Sequence, residues 1–88
     1  MEFPFQQQHI EGKIIRTFFP DTEEEELKWH QDLKDRKVTI LEPGGWSFQM
    51  DDDLPNKLQV AEQIFIPKFV WHRVLKGNSD LVVEIEEF

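Results

Sequence analysis

Arg36-Lys37-Val38-Thr39-Ile40-Leu41-Glu42-Pro43-Gly44-Gly45-Trp46-Ser47-Phe48-Gln49-Met50-Asp51 is the stretch on which the fold class turns. Val38 to Leu41 is dense in β-branched and aliphatic side chains that suit a pleated, half-buried surface, and Pro43-Gly44-Gly45 is a tight-turn signal. Beyond the turn, apolar and polar residues alternate, so Trp46, Phe48 and Met50 fall on one strand face and Ser47, Gln49 and Asp51 on the other. The pattern predicts a β-hairpin over 36–51. Which of its two faces looks inward stays open, because a ligand-holding barrel can have a partly polar interior.

The same grammar continues outward. Towards the C-terminus, Asp52-Asp53-Leu54-Pro55-Asn56 is a turn, where its carboxylates solubilise the bend rather than catalyse. Lys57 to Val60 and Ile64-Phe65-Ile66 are short strands, the second stopped by Pro67. Trp71 to Lys76 alternates, Gly77-Asn78-Ser79-Asp80 turns sharply, and Leu81, Val83 and Ile85 alternate with Val82, Glu84 and Glu86 in a strand with one buried face. Towards the N-terminus, Leu27 to Asp32 reads as extended, and Glu23 to Glu26 is too charged to bury and reads as the start of a short helix or a solvated bend, a solvent-facing loop rather than a cation site. Lys13 to Phe19 reads as a strand ended by Pro20-Asp21. Residues 1–12 read as an N-terminal arm carrying His9, and 13–88 as the folded domain. About seven short strands with regular turns must close over one another to bury their apolar faces, which defines an all-β sandwich or barrel.

Composition bounds the function. The chain of 88 residues has room for one core, which eight Phe and three Trp help to fill. Absence of cysteine excludes disulfides, thiolate metal sites and Cys nucleophiles, so a metal site here needs His and carboxylates. A net charge of −8 repels nucleic-acid phosphates and anionic membranes, and no stretch has the pattern of a signal peptide or a membrane span, so we expect a cytoplasmic protein. No phosphate-binding glycine loop, nucleophile elbow or zinc-protease histidine pair occurs.

The run Ala61-Glu62-Gln63-Ile64-Phe65-Ile66-Pro67-Lys68-Phe69-Val70-Trp71-His72-Arg73-Val74-Leu75-Lys76 resembles the second conserved motif of the cupins, whose frame is Gly, five residues, Pro, one residue, Gly, two residues, His, three residues, Asn. Pro67 and His72 match, whereas Ala61, Phe69 and Lys76 stand in the places of the two glycines and the Asn. The family's first motif, His, one residue, His, three or four residues, Glu, six residues, Gly, is similar in frame to His30, Asp32, Arg36 and Pro43, with His30 alone unchanged. The resemblance implies a single small cupin-like jelly-roll barrel of antiparallel strands.

In metal-binding members of that family, these positions converge on one divalent metal in the barrel. Carried over, the resemblance implies His30, Asp32 and His72 as ligands, two imidazoles and a carboxylate of the kind that hold Fe, Mn, Ni or Zn. Residues two apart on a strand point the same way, so His30 and Asp32 can converge. Arg36 in the Glu position opposes a cation unless a carboxylate, Asp32 for instance, neutralises it.

Three readings follow. One is a binding module holding a small polar or anionic molecule near Arg36, His30, His72 and Gln49. A second is a small metal-dependent oxygenase or isomerase. A third is a non-catalytic interaction domain, with Phe3, Phe5, Phe18 and Phe19 as surplus aromatics that pair two copies into a homodimer. Plainer roles compete: His72 as a strand histidine satisfied by a backbone carbonyl, His30 at an exposed edge, Trp46 and Trp71 as core or rim. On the strand after Pro67, His72 and Val74 share one face and Trp71, Arg73 and Leu75 the other; the cupin assignment requires the His72 face to be the inner one.

Overall fold

A computed structural model describes residues 5–23 and 27–88; Phe3 and the acidic positions 24–26 lie outside the described residues. Eight strands follow in order: β1 (Phe5–Ile10), β2 (Lys13–Phe18), β3 (Arg36–Glu42), β4 (Ser47–Met50), β5 (Asn56–Lys57), β6 (Gln63–Ile66), β7 (His72–Leu75) and β8 (Leu81–Glu87). They form a five-stranded sheet, ordered β1-β2-β8-β3-β6, and a three-stranded sheet, ordered β5-β4-β7. Every ladder is antiparallel. No helix among the described residues is long and apolar enough to cross a membrane.

Alternation sets which side of each strand is buried. Leu81, Val83 and Ile85 of β8 are at most 4% exposed, and β3 turns Val38 and Ile40 to the same side. From the facing sheet come Trp46, Phe48 and Leu58, so the apolar face of the 46–50 run is the inner one. Each fully buried aliphatic of this set contributes about 1.5–3 kcal/mol. Trp46 is completely enclosed, and its Nε1–H donates to the Ser79 carbonyl at 2.6 Å, which satisfies the one polar group the indole carries inside.

The expected hairpin over 36–51 is not one. A turn does form, with Trp46 N–H donating to Pro43 O at 2.9 Å, but β3 and β4 belong to different sheets. Both flanking strands have apolar inner faces, and these bury each other only if the strands lie across the core instead of side by side. The turn at 77–80 likewise carries the chain from β7 back to β8. The two turns hold one another: the Gly44 carbonyl accepts from Asn78 N–H at 3.1 Å and Ser79 N–H at 3.2 Å, and Gly77 lies so close to Gly44 O that a Cβ there would collide with it. They close one end of the barrel. At the opposite end lie Arg36 beside Glu87 and Met50 beside His72.

The arm at 1–12 is also corrected in part. Residues 5–10 form β1, paired along its length with β2, with His9 opposite Ile14. Its glutamine-rich sequence has no apolar alternation to announce a strand; the ladder and the contacts of Phe5 and Gln7 with β2 supply what burial does not. Phe5 packs edge-on against Phe18 at 5.5 Å, and Phe18 against Trp46 at 5.9 Å, so these two phenylalanines are built into the fold and are not a surplus surface. The extended reading of 27–32 reduces to one isolated bridge at His30.

Candidate functional site

That bridge builds the site. His30 N–H donates to His72 O and His72 N–H to His30 O, both at 3.0 Å. Residues that exchange both backbone bonds lie directly opposite and present their side chains on the same face. The two imidazoles stand 4.2 Å apart at 62°. His72 is buried at 4% exposure while Trp71 is 45% exposed, so the His72 face is the inner one. Arg73 points the other way, stacking over Trp29 at 4.6 Å and donating to Gln49 Oε1 at 2.9 Å.

Both histidines are oriented through the ring nitrogen next to the backbone. His72 Nδ1 lies 2.9 Å from Val70 O, and His30 Nδ1 lies 3.3 Å from Lys28 O. A donor at Nδ1 leaves Nε2 as the free lone pair of the neutral ring, the orientation seen in metal-ligating histidines.

Asp32, two residues beyond His30, is 8% exposed. Its backbone carbonyl accepts from Phe69 N–H at 2.9 Å, which ties it to the turn before β7. Its Oδ1 lies 3.2 Å from Arg36 Nη1, and its Oδ2 lies 3.3 Å from His72 Nε2. That Oδ2 is buried without a properly directed hydrogen-bond partner. Burial raises the Asp32 pKa, but His72 and the Arg36 guanidinium lower it by more, so the carboxyl is held below its ordinary value. His30 is also lowered, by lost hydration first and by neighbouring His72 second, which favours its neutral, ligating form. One ligand atom from each of His30, Asp32 and His72 lies within 4.8 Å of the others.

Of the expected site residues, His30, Asp32, His72 and Arg36 come together and line one cavity of about 420 Å³. Gln49 does not join them. It sits on the outer face of β4, engaged by Arg73 and donating from Nε2 to Asp53 O at 3.0 Å. Its parity with Ser47 and Asp51, opposite the apolar positions, was the signal against it. Arg36 is present but occupied: besides Asp32, it reaches Glu87 Oε2 through Nε at 3.0 Å and Nη2 at 2.8 Å.

The reading of the sequence missed Arg16. It shares the inner face of β2 with Ile14 and Phe18 and lines the same cavity. Burial first, and the like charge of Arg36 second, push its pKa down to about 10, so it is cationic at neutral pH.

The fold is that of the cupins. A protein from Neisseria meningitidis superposes with a TM-score of 0.66 at 20% identity, over 100% of this chain and 87% of its own. A cupin domain from Bordetella pertussis does so at 0.64 and 20% identity, over 100% of this chain and 98% of its own. HppE, solved with Fe(II) and an alternative substrate, matches at 0.65 and 17% identity over 86% of this chain but 41% of its own. No protein-family model and no curated protein matches the sequence.

Proposed function

We propose that this chain is a small cupin-type binding protein whose barrel cavity holds one divalent transition metal on His30, Asp32 and His72, and a small polar or anionic molecule beside it. The observation that carries the reading is Asp32 Oδ2, a buried carboxylate oxygen with no well-directed hydrogen bond, 3.3 Å from His72 Nε2 and close to two imidazoles whose Nδ1 atoms are already engaged. Buried polar atoms without partners are rare, and a cation is the partner that fits two nitrogens and an oxygen at this spacing. Such a set suits Fe, Mn, Ni or Zn and leaves coordination positions open. HppE, solved with Fe(II), has the same fold, which supports the reading by analogy alone.

The chain's own residues divide the remaining work. Arg36 and Asp32 form an ion pair that limits the negative charge offered to a metal and holds the carboxylate in place. Leu27, Phe48 and Val74 among the lining residues supply an apolar wall to the cavity. A metal bound here would polarise an oxygen of the ligand or of water.

A metal-free cluster has two observations in its favour, the Arg36–Asp32 contact at 3.2 Å and the contact of His72 Nε2 with Asp32 Oδ2 at 3.3 Å, which together engage both carboxylate oxygens without a metal. Calorimetric titration of tag-free, chelator-stripped protein with Zn(II), Ni(II), Mn(II) and Fe(II) separates the two readings. The metal reading expects one equivalent of at least one ion, weakened about tenfold or more in His30→Ala. No saturable binding of any of the four would leave the metal-free cluster in its place.

A further inference from the structure

The cavity holds two guanidinium groups, and they are treated differently. Arg36 is neutralised by Asp32 and Glu87. Arg16 has no carboxylate within ion-pair distance among the described residues, although the chain has 18 acidic residues to its 10 basic ones. Its partners are neutral. Gln7, directly opposite on β1, accepts with Oε1 from Nε at 3.0 Å and Nη2 at 2.7 Å, and the Phe5 ring lies 4.0 Å from Cζ.

Those contacts orient the group without discharging it. Gln7 takes the Nε edge of the fork, and Phe5 covers one flat face. The Nη1 end, with its two N–H donors, is left with no partner among the described residues. This half-buried cation feels the like charge of Arg36, partly offset by Asp32 and Glu87 beyond ion-pair reach, and its open Nη1 end is where an incoming anion can make direct contact.

We propose that Arg16 is the anion-binding residue of the cavity, and that the ligand it selects is a small organic carboxylate with an apolar body. A carboxylate matches the free end of the fork with two oxygens. A phosphate offers more charge and more acceptors than one unpaired guanidinium can meet, since Arg36 is already saturated. The apolar lining of a cavity of about 420 Å³ accommodates a hydrocarbon body of several carbons. The inference deepens the reading of this cavity as a ligand site and moves its anion anchor from Arg36 to Arg16.

The test is a titration of the chelator-stripped full chain, followed by ¹H–¹⁵N spectra that include the arginine Nε–H signals. The probes are benzoate, hexanoate, benzamide and inorganic phosphate. Benzoate or hexanoate should bind saturably and shift the Arg16 Nε–H, with benzamide and phosphate weaker by about tenfold or more. Arg16→Gln should lose that margin, and Arg16→Lys should recover part of it, because the charge returns without the fork. Equal affinity for benzoate and benzamide in the unaltered protein overturns the proposal without recourse to any variant. So does tighter binding of phosphate, absence of saturable binding by both carboxylates, or unchanged carboxylate binding in a folded Arg16→Gln. Metal titration is read separately: carboxylate binding that needs Arg16 in a protein that takes no metal keeps this site and removes the metal, and the converse pair of results does the opposite.

Discussion

His30 and His72 are joined through their main chains by two hydrogen bonds of 3.0 Å, while their rings meet edge-on, centroids 4.2 Å apart, without a hydrogen bond between them. Either imidazole can therefore be removed while the bridge that aligns the pair remains. The two removals differ in burial: His30 is at the exposed rim, whereas His72 is enclosed and also holds the Val70 carbonyl. His30→Ala should change unfolding free energy by less than about 0.5 kcal/mol, and His72→Ala should cost about 2–3 kcal/mol. Urea unfolding of both variants checks this, and equal costs would show that burial does not separate them.

The places where the cupin frame has its two glycines hold Ala61 and Phe69, and both have positive φ, +67° and +66°. An L-residue in that region carries a steric penalty of roughly 1–2 kcal/mol, partly offset by the extra chain entropy a glycine would lose. Phe69 is 55% exposed, so little packing is lost with its ring. Phe69→Gly and Ala61→Gly should each stabilise the fold by about 0.5–1 kcal/mol. A destabilised pair in urea titrations would count against the strain.

Gly77→Ala should do the reverse. A Cβ at that position meets the Gly44 carbonyl and the Gly45 and Trp46 backbone, none of which can swing aside. Overpacking of this kind costs about 1–3 kcal/mol, and each kcal/mol lowers Tm by about 4–8 °C in a domain of this size. An unchanged melting temperature would show that the two turns do not depend on that approach.

Asp32 gives the stability a pH dependence in the metal-free protein. Its folded pKa is below its ordinary value, so its contribution is complete above the unfolded value near 3.9 and is lost as pH falls through the folded one. Asp32→Asn lacks that contribution at every pH. The difference in urea midpoint between parent and variant should be full at neutral pH and shrink below about pH 4. A difference that stays constant into acid would break the link to Asp32.

The expectation of a homodimer now rests on other residues. With Phe5 and Phe18 partly buried in ring contacts within the fold, the exposed aromatics among the described residues are Phe65 and Phe69, both at 55%, Trp71 at 45% and Phe88 at 67%. Light scattering at micromolar concentration should give a dimer mass that Phe65→Ser lowers to the monomer value. A monomeric mass for the parent removes the expectation.

Much of this was legible in the residues, for a physical reason. Strand alternation is a local property, so parity showed which residues of β3, β4, β7 and β8 share a face, whereas the inner side of β4 stayed open and the inward turn of His72 followed from the cupin resemblance. Partnership between strands is not local. Pro43-Gly44-Gly45 and 77–80 announce turns, but whether a turn joins neighbours in one sheet or crosses the core depends on the other turn, some thirty residues away. Arg16 was overlooked although its parity with Ile14 and Phe18 placed it inward. Its significance lies in lacking a carboxylate partner, which only the assembled cavity displays. Arg36 was legible as a site residue, whereas its occupation by Glu87 required the pairing of β3 with β8.

The position of β8 also governs how this chain must fold. It lies between β2 and β3 in the five-stranded sheet, so both remain without that shared neighbour until residues 81–87 are available. A growing polypeptide cannot complete the sheet as it is synthesised; closure waits for the farthest of the described strands. Contacts this distant in sequence slow the search for the native state, and they place refolding in the millisecond-to-second range of small barrels. During that wait the inner faces of β2 and β3, with Arg16 and Arg36 on them, are open to water, and the cavity comes into being in the same step that closes the sheet.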